Sequence, residues 1–265
     1  PSVDSVDITG DLIVDGTFVP NNSAITLTGG SDQDISGSTS SLVMYDLIID
    51  KSNSSVTLQR NLDISSYLTL KAGIMNSSDA NLLRIRAGAS SNEGNDTSFV
   101  DGPVKKTGNS AYTFPTGNNG VWAPVAITAP NTVTDVFKAQ YYYSGHPEAG
   151  SDPCSNCGDS VKYVRANEYW DLSRTAGSST PDVTLYFKDM ARSGINSLND
   201  LVYGHWNGSE WKDMTLEGSA ALDGSGGCYI TGSGFMNYNI HAPGEPAVIC
   251  PETGPMYYVP NDFGQ

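Results

Sequence analysis

A chain of 265 residues is long enough for one large β domain or two ordinary ones, and it can bury a real core. Only 16% of the residues are charged and 38% are hydrophobic, with 28 Gly and 14 Pro beside abundant Ser, Thr, Asn and Asp, so tight turns and short strands are expected in place of long exposed helices. The net charge of −15, with only 14 Lys and Arg, argues against nucleic acid and anionic membrane surfaces as partners. No apolar run approaches the ~20 residues of a membrane helix, so no membrane insertion is expected.

In chain order, residues 1–97 read as a succession of short strands: Asp11–Val14, Ala24–Leu27, Leu47–Ile49, Val56–Leu58, Tyr67–Leu70 and Leu82–Ile85. Turn clusters such as Gly29-Gly30-Ser31-Asp32 and Lys51–Ser55 separate them. Leu83, Ile85 and Ala87 alternate with Arg84 and Arg86, the period of a half-buried strand. Similar phrases recur at 13–16 (Ile-Val-Asp-Gly), 48–51 (Ile-Ile-Asp-Lys) and 70–73 (Leu-Lys-Ala-Gly). A strand and turn repeated in this way predict a β-solenoid-like region in which each coil buries its apolar side chains on the next. A plain β-sandwich is the competing arrangement.

Residues 98–243 carry longer apolar and aromatic runs, among them Val136–Tyr143, Val183–Phe187, Leu201–Tyr203 and Cys228–Ile230, which predict a β-sandwich. The one helix candidate is short, around Asp189–Arg192. Asn207-Gly208, between His205-Trp206 and Glu210-Trp211, predicts a type I′ hairpin. Residues 244–265 are rich in proline and read as a linker or extended arm. The overall class is therefore all-β.

Several phrases occur in a characteristic order. Phe99-Val100-Asp101-Gly102-Pro103-Val104 leads to Tyr112-Thr113-Phe114-Pro115-Thr116-Gly117, then to Ala123-Pro124-Val125, Asn167-Glu168-Tyr169-Trp170-Asp171-Leu172 and His205-Trp206-Asn207-Gly208-Ser209-Glu210-Trp211. Over roughly residues 40 to 242 this order resembles a β-rich module of large Bacteroidota surface proteins, type IX-secreted adhesins and filament proteins. The resemblance implies an extracellular, cell-surface location, a structural or adhesive role and no catalytic residues to transfer. The C-terminal sorting domain usual in such proteins is not visible.

Trp170, Trp206 and Trp211 are expected to anchor the space between two sheets. Cys154 and Cys157 have the spacing of a redox or zinc motif but lie in a Gly/Pro/Asp loop, and Cys228 and Cys250 are too far apart to complete a zinc site. Disulfides are the expected use. Four cysteines allow three pairings, of which a Cys154–Cys157 clasp with a Cys228–Cys250 staple is favoured. No Gly-x-Ser-x-Gly elbow is present, and the aromatic-flanked acids Glu168, Asp171, Asp182, Glu210 and Asp213 read as solvated turn acids. An enzyme is not expected, and neither is an organic cofactor.

Calcium is the one ion the composition leaves open, with Asp32, Asp34, Asn95 and Asp96 in oxygen-rich loops, although neither loop completes a known calcium motif. Two partner classes follow. Copies of the same chain, or neighbouring modules of one long chain, would be joined by terminal strands, with Val248, Ile249, Met256, Tyr257, Tyr258 and Val259 as the apolar segments. Surface glycans would stack on Trp122, Tyr141, Tyr142 and Tyr143.

Overall fold

Alternating apolar residues decide which way each strand faces, and in the N-terminal half they line up from strand to strand. The computed structural model describes residues 5–149, 161–164, 167–199 and 201–246. No helix occurs among them; Asp189–Arg192 belongs to a turn closed by Ser193 N–H donating to Asp189 O at 3.0 Å. The strands form one eighteen-stranded sheet and one five-stranded sheet.

The first half winds as a solenoid of parallel coils. On one side, Ser5–Ile8 pairs with Ala24–Gly29, which pairs with the middle stretch of Ser41–Leu58 (Asp46 to Lys51), which pairs with Asn61–Asn76. On the second side, Leu12–Ile13 lies on Gln33–Ser36, which lies on the end of Ser41–Leu58. The third side stacks Leu42, Leu62, Leu83 and Val104 in direct register, with Met44, Ile64, Ile85 and Lys106 as the neighbouring row. Every apolar residue in these two rows is buried. Burial of each Leu or Ile contributes about 2 kcal/mol, so the coils are held by stacked side chains as well as by the ladder bonds.

Coil length varies, which explains why no named repeat shows in the sequence. Partners are 19 residues apart at Ser5 and Ala24 but 25 apart at Met75 and Val100. The irregularity sits at the corners, where buried cations gather carbonyl groups of the chain around them. The Lys51 ammonium, wholly buried, donates to Thr28 O (3.1 Å), Ser31 O (2.6 Å) and Gln33 Oε1 (2.5 Å). The Arg60 guanidinium donates to Val14 O (2.9 Å), Ser36 O (3.2 Å) and Ser41 O (2.9 Å), joining successive coils. Lys106 does the same for Arg86 O (3.0 Å) and Ala89 O (2.6 Å), and burial draws its pKa down to about 8.

The solenoid runs into the second half without a break in the sheet. Val104–Thr107 pairs in parallel with Leu83–Ile85 and antiparallel with Val136–Tyr142, which pairs with Tyr169–Ala176. Against this layer packs the antiparallel sheet of Tyr112–Phe114, Val125–Ile127, Val183–Phe187, Cys228–Gly232 and Ala221–Leu222. Phe114, Val125, Leu185, Phe187 and Ile230 from this sheet share one core with Phe137, Ala139, Tyr141, Trp170 and Leu172 from the other. A β-solenoid-like region followed by a β-sandwich is thus the architecture, as the strand patterns predict. Trp170 anchors the sandwich: it is buried, stands edge-on to Phe187 at 5.5 Å, and donates from Nε1 to Ala123 O at 3.1 Å.

Two local expectations shift. The hairpin forms, with Trp206 opposite Trp211, but its only left-handed residue is Gly208 (φ 103°). Asn207 keeps negative φ and spends its side-chain oxygen on the N–H groups of Ser209 (2.9 Å) and Glu210 (3.0 Å), so the turn is not the Asn-Gly type I′. Residues 244–246, expected to open the extended arm, instead lie in the strand Ile240–Pro246, which reaches Pro246 opposite Val161; the rest of that segment lies outside the described residues.

Candidate functional site

The first coil of the solenoid leaves a sheet edge uncovered. Ser5–Ile8 hydrogen-bonds along one side only, to Ala24–Gly29, and among the described residues no strand meets its other side. Val6 is in register with Ile25, whose side chain is buried in the solenoid, yet Val6 itself is 52% exposed. Ile8, Leu12, Val14 and Phe18 are partly buried against the same core. Among the described residues, nothing packs over these side chains from the far side of Ser5–Ile8.

The open coil is firmly held from below. Gln33 Nε2 donates to Ile8 O at 3.1 Å and also to Gly10 O, while Arg60 holds Val14 O. Asp11 Oδ1 accepts the Asp34 N–H (2.9 Å) and Asp15 Oδ1 accepts the Ser38 N–H (3.0 Å). Asp7, Asp11 and Asp15 are all exposed around the opening. A fixed, unpaired strand edge beside uncovered apolar side chains can add a further strand, with main-chain bonds supplying affinity.

The four oxygen-rich candidates do not converge. Asp32 accepts the Ser55 N–H (2.7 Å) and hydroxyl (2.9 Å), and those bonds hold its carboxyl below the usual carboxylate range. Asp34 lies in the strand Gln33–Ser36. Asn95 accepts the Thr97 N–H (2.9 Å) and hydroxyl (2.7 Å) in an Asx turn, and Asp96 sits at its tip. Among the described residues no three acidic, histidine or cysteine side chains gather as a metal site. An open groove of about 620 Å3 lies at the Lys51–Ser55 corner, lined by Asp32, Ser54, Ser55, Gly73 and Thr97. Its lysine is already committed to the corner carbonyls.

The aromatic candidates divide. Tyr141 is buried, contrary to a sugar-stacking role: strand alternation turns it inward, where its hydroxyl donates to Glu168 Oε2 at 2.6 Å. Glu168, expected as a solvated turn acid, is itself buried, and that burial pushes its carboxyl pKa up. The next residue faces outward: Tyr142 stacks on Tyr169 with ring centroids 4.6 Å apart, and Tyr143 is 37% exposed. Trp122 is half-buried, donating to Glu93 O at 2.8 Å beneath the Lys188 ammonium. Trp211 is buried, and Trp206 half-buried beside it.

The remaining acids serve local structure: Asp171 accepts the Ser173 hydroxyl, Asp182 N–H donates to the Thr128 hydroxyl, Asp213 accepts the Thr215 N–H, and Glu210 pairs with Lys212 at 2.9 Å. Cys228, the one cysteine among the described residues, is turned by its strand into the sandwich core, where burial pushes its pKa up to about 12. Cys154, Cys157 and Cys250 lie outside the described residues, as do Val248, Ile249, Met256, Tyr257, Tyr258 and Val259.

Composition gave no sign of the buried pair His205 and His241, whose rings stack at 4.9 Å on opposed strands. His241 Nδ1 meets the Tyr203 hydroxyl at 3.0 Å, and His205 Nε2 meets Asn237 Oδ1 at 3.2 Å. Burial lowers the pKa of both imidazoles.

No family model, curated protein or solved structure matches the chain.

Proposed function

We propose that this chain is a non-catalytic structural and adhesive module of an extracellular bacterial surface assembly, and that it associates with copies of itself or with neighbouring modules of a longer chain. The observation that carries this is the uncovered first coil, in which Val6 is exposed at a position equivalent to a buried core residue. An unpaired strand edge beside exposed apolar side chains is an aggregation hazard unless a second copy, or a neighbouring module of a longer chain, covers it. The order of sequence phrases, which resembles that of Bacteroidota surface proteins, supports the same location and role.

Negative-stain electron microscopy of the native protein, with and without chelator and reductant, tests this function. Fibres, tubes or rings are expected. Loss of order in chelator would identify calcium as a fastener, and loss in reductant would identify disulfides. Dispersed monomers under every condition would overturn it.

A second function, glycan binding, draws on the outward Tyr142–Tyr169 stack with Tyr143 beside it. Binding on a glycan array that disappears in Tyr142→Ala would favour it.

A further inference from the structure

The chain separates its charges along the solenoid. Residues 1–50 contain eight aspartates (4, 7, 11, 15, 32, 34, 46 and 50) and no lysine, arginine or histidine. Three of these, Asp7, Asp11 and Asp15, are exposed around the open first coil, alongside the exposed Val6 (52%) and Ile13 (63%).

Cations gather instead on the outer face of the third solenoid side, where it passes into the sandwich. Arg84 is in register with Lys105, and Lys105 with Lys138, so three cations stand side by side on neighbouring strands. Adjacent strands are about 4.8 Å apart, and like charges placed directly opposite each other oppose folding. The two outer cations have partners: Arg84 pairs with Asp63 at 2.7 Å and Lys138 with Asp79 at 2.7 Å. Lys105, between them, is only partly buried and has no hydrogen bond or ion pair among the described residues. In a chain with a net charge of −15, an unpartnered lysine between two other cations is an arrangement that folding alone does not favour.

The geometry points to a head-to-side contact between copies, in which the acidic rim of one open first coil docks on the Arg84–Lys105–Lys138 ledge of the next. The two surfaces differ, so the contact is heterologous and propagates into a chain of copies unless its rotation closes a ring. This inference rests on the self-associating role proposed above and names the surfaces that carry it. Opposite charges at the rim of an apolar contact fix register and speed encounter, and they make association fall with ionic strength.

Sedimentation velocity of the full chain tests the contact, using the wild type, Lys105→Glu/Lys138→Glu and Asp7→Lys/Asp11→Lys. The wild type is expected to associate at low salt and to dissociate progressively as salt is raised. Each variant alone should associate at least about tenfold more weakly, as opposed like charges demand. An equimolar mixture of the two should associate again, because each supplies the surface the other lacks. The single variant Lys105→Glu separates this role from a structural one: it relieves repulsion with Arg84 and Lys138, so its Tm should equal or exceed the wild type while its association falls. Variants that associate like the wild type, or a mixture that does not recover, would overturn the contact. Should filaments nevertheless form in those variants, the structural function would stand through some other surface. A wild type that stays monomeric, yet is retained on an immobilised polyuronate through Lys105, would assign the ledge to a glycan and end the copy-to-copy contact.

Discussion

Val6 and Ile25 are direct partners on neighbouring parallel strands, yet Ile25 is 7% exposed and Val6 is 52% exposed. Ile25 stands between Val6 and Leu47 on flanking strands, whereas Val6 has a strand neighbour on one side only among the described residues. Covering Val6 would recover part of the roughly 2 kcal/mol that burial of a Val contributes. Val6→Asp should therefore leave the isolated module within about 0.5 kcal/mol of wild-type stability, as for exposed sites generally, while abolishing ordered assemblies. A thermal melt paired with electron microscopy checks both halves.

Lys51 clasps one corner with a single buried ammonium. Lys51→Met keeps the volume but leaves Thr28 O, Ser31 O and Gln33 Oε1 without their shared donor. Stranding buried acceptors costs about 1–3 kcal/mol. The denaturation midpoint in urea should fall accordingly, with an unchanged slope.

Gly73 lies against the same corner with φ 88°, a left-handed conformation that side chains rarely adopt. A Cβ there would collide with Lys51 Cβ and stand 2.7 Å from Ser54 O. Gly73→Ala should cost about 1–3 kcal/mol, whereas Gly88→Ala, with a similar φ of 79° but open space around it, should cost less. Comparing the two melts isolates the collision from the backbone strain.

The buried histidines set an acid limit. In the folded chain, burial keeps the His241 pKa well below the ordinary value and lowers that of His205 as well. In the unfolded chain both titrate near 6.5. Below that pH the unfolded state binds more protons, so stability is full above about pH 6.5 and falls as the pH drops towards the folded-state values. The fall can reach about 1.4 kcal/mol per pH unit for each histidine. Urea midpoints measured at pH 7.5 and pH 5 should differ less in His241→Gln than in the wild type.

Much of the architecture is legible along the chain. Leu83 and Ile85 face inward and Arg84 and Arg86 outward, as their alternation requires; Ala87 breaks the pattern because the chain has already turned the corner. The strand Gln33–Ser36 is hidden inside an oxygen-rich loop because Gln33 and Asp34 do not look like strand residues. In three dimensions Gln33 is buried as a bridge between Lys51 and the first coil. Lys51 itself is the last residue of a phrase that looks like an ordinary turn. Charged residues at solenoid corners answer to carbonyls 17 to 46 residues away, a relation that no local pattern carries. The same holds for Tyr141 and Tyr142, adjacent aromatics whose opposite fates depend on strand direction. The ledge at Lys105 likewise exists only through the register of three separate strands.

Amide hydrogen exchange across residues 5–13, compared between assembled and dispersed protein, probes the uncovered coil most directly. If a partner covers that edge, the Ser5–Ile8 amides and those of Leu12 and Ile13 should gain protection on assembly, and Val6→Asp should remove the gain. Assemblies in which these amides exchange as fast as in dispersed protein would contradict the proposed role of the first coil.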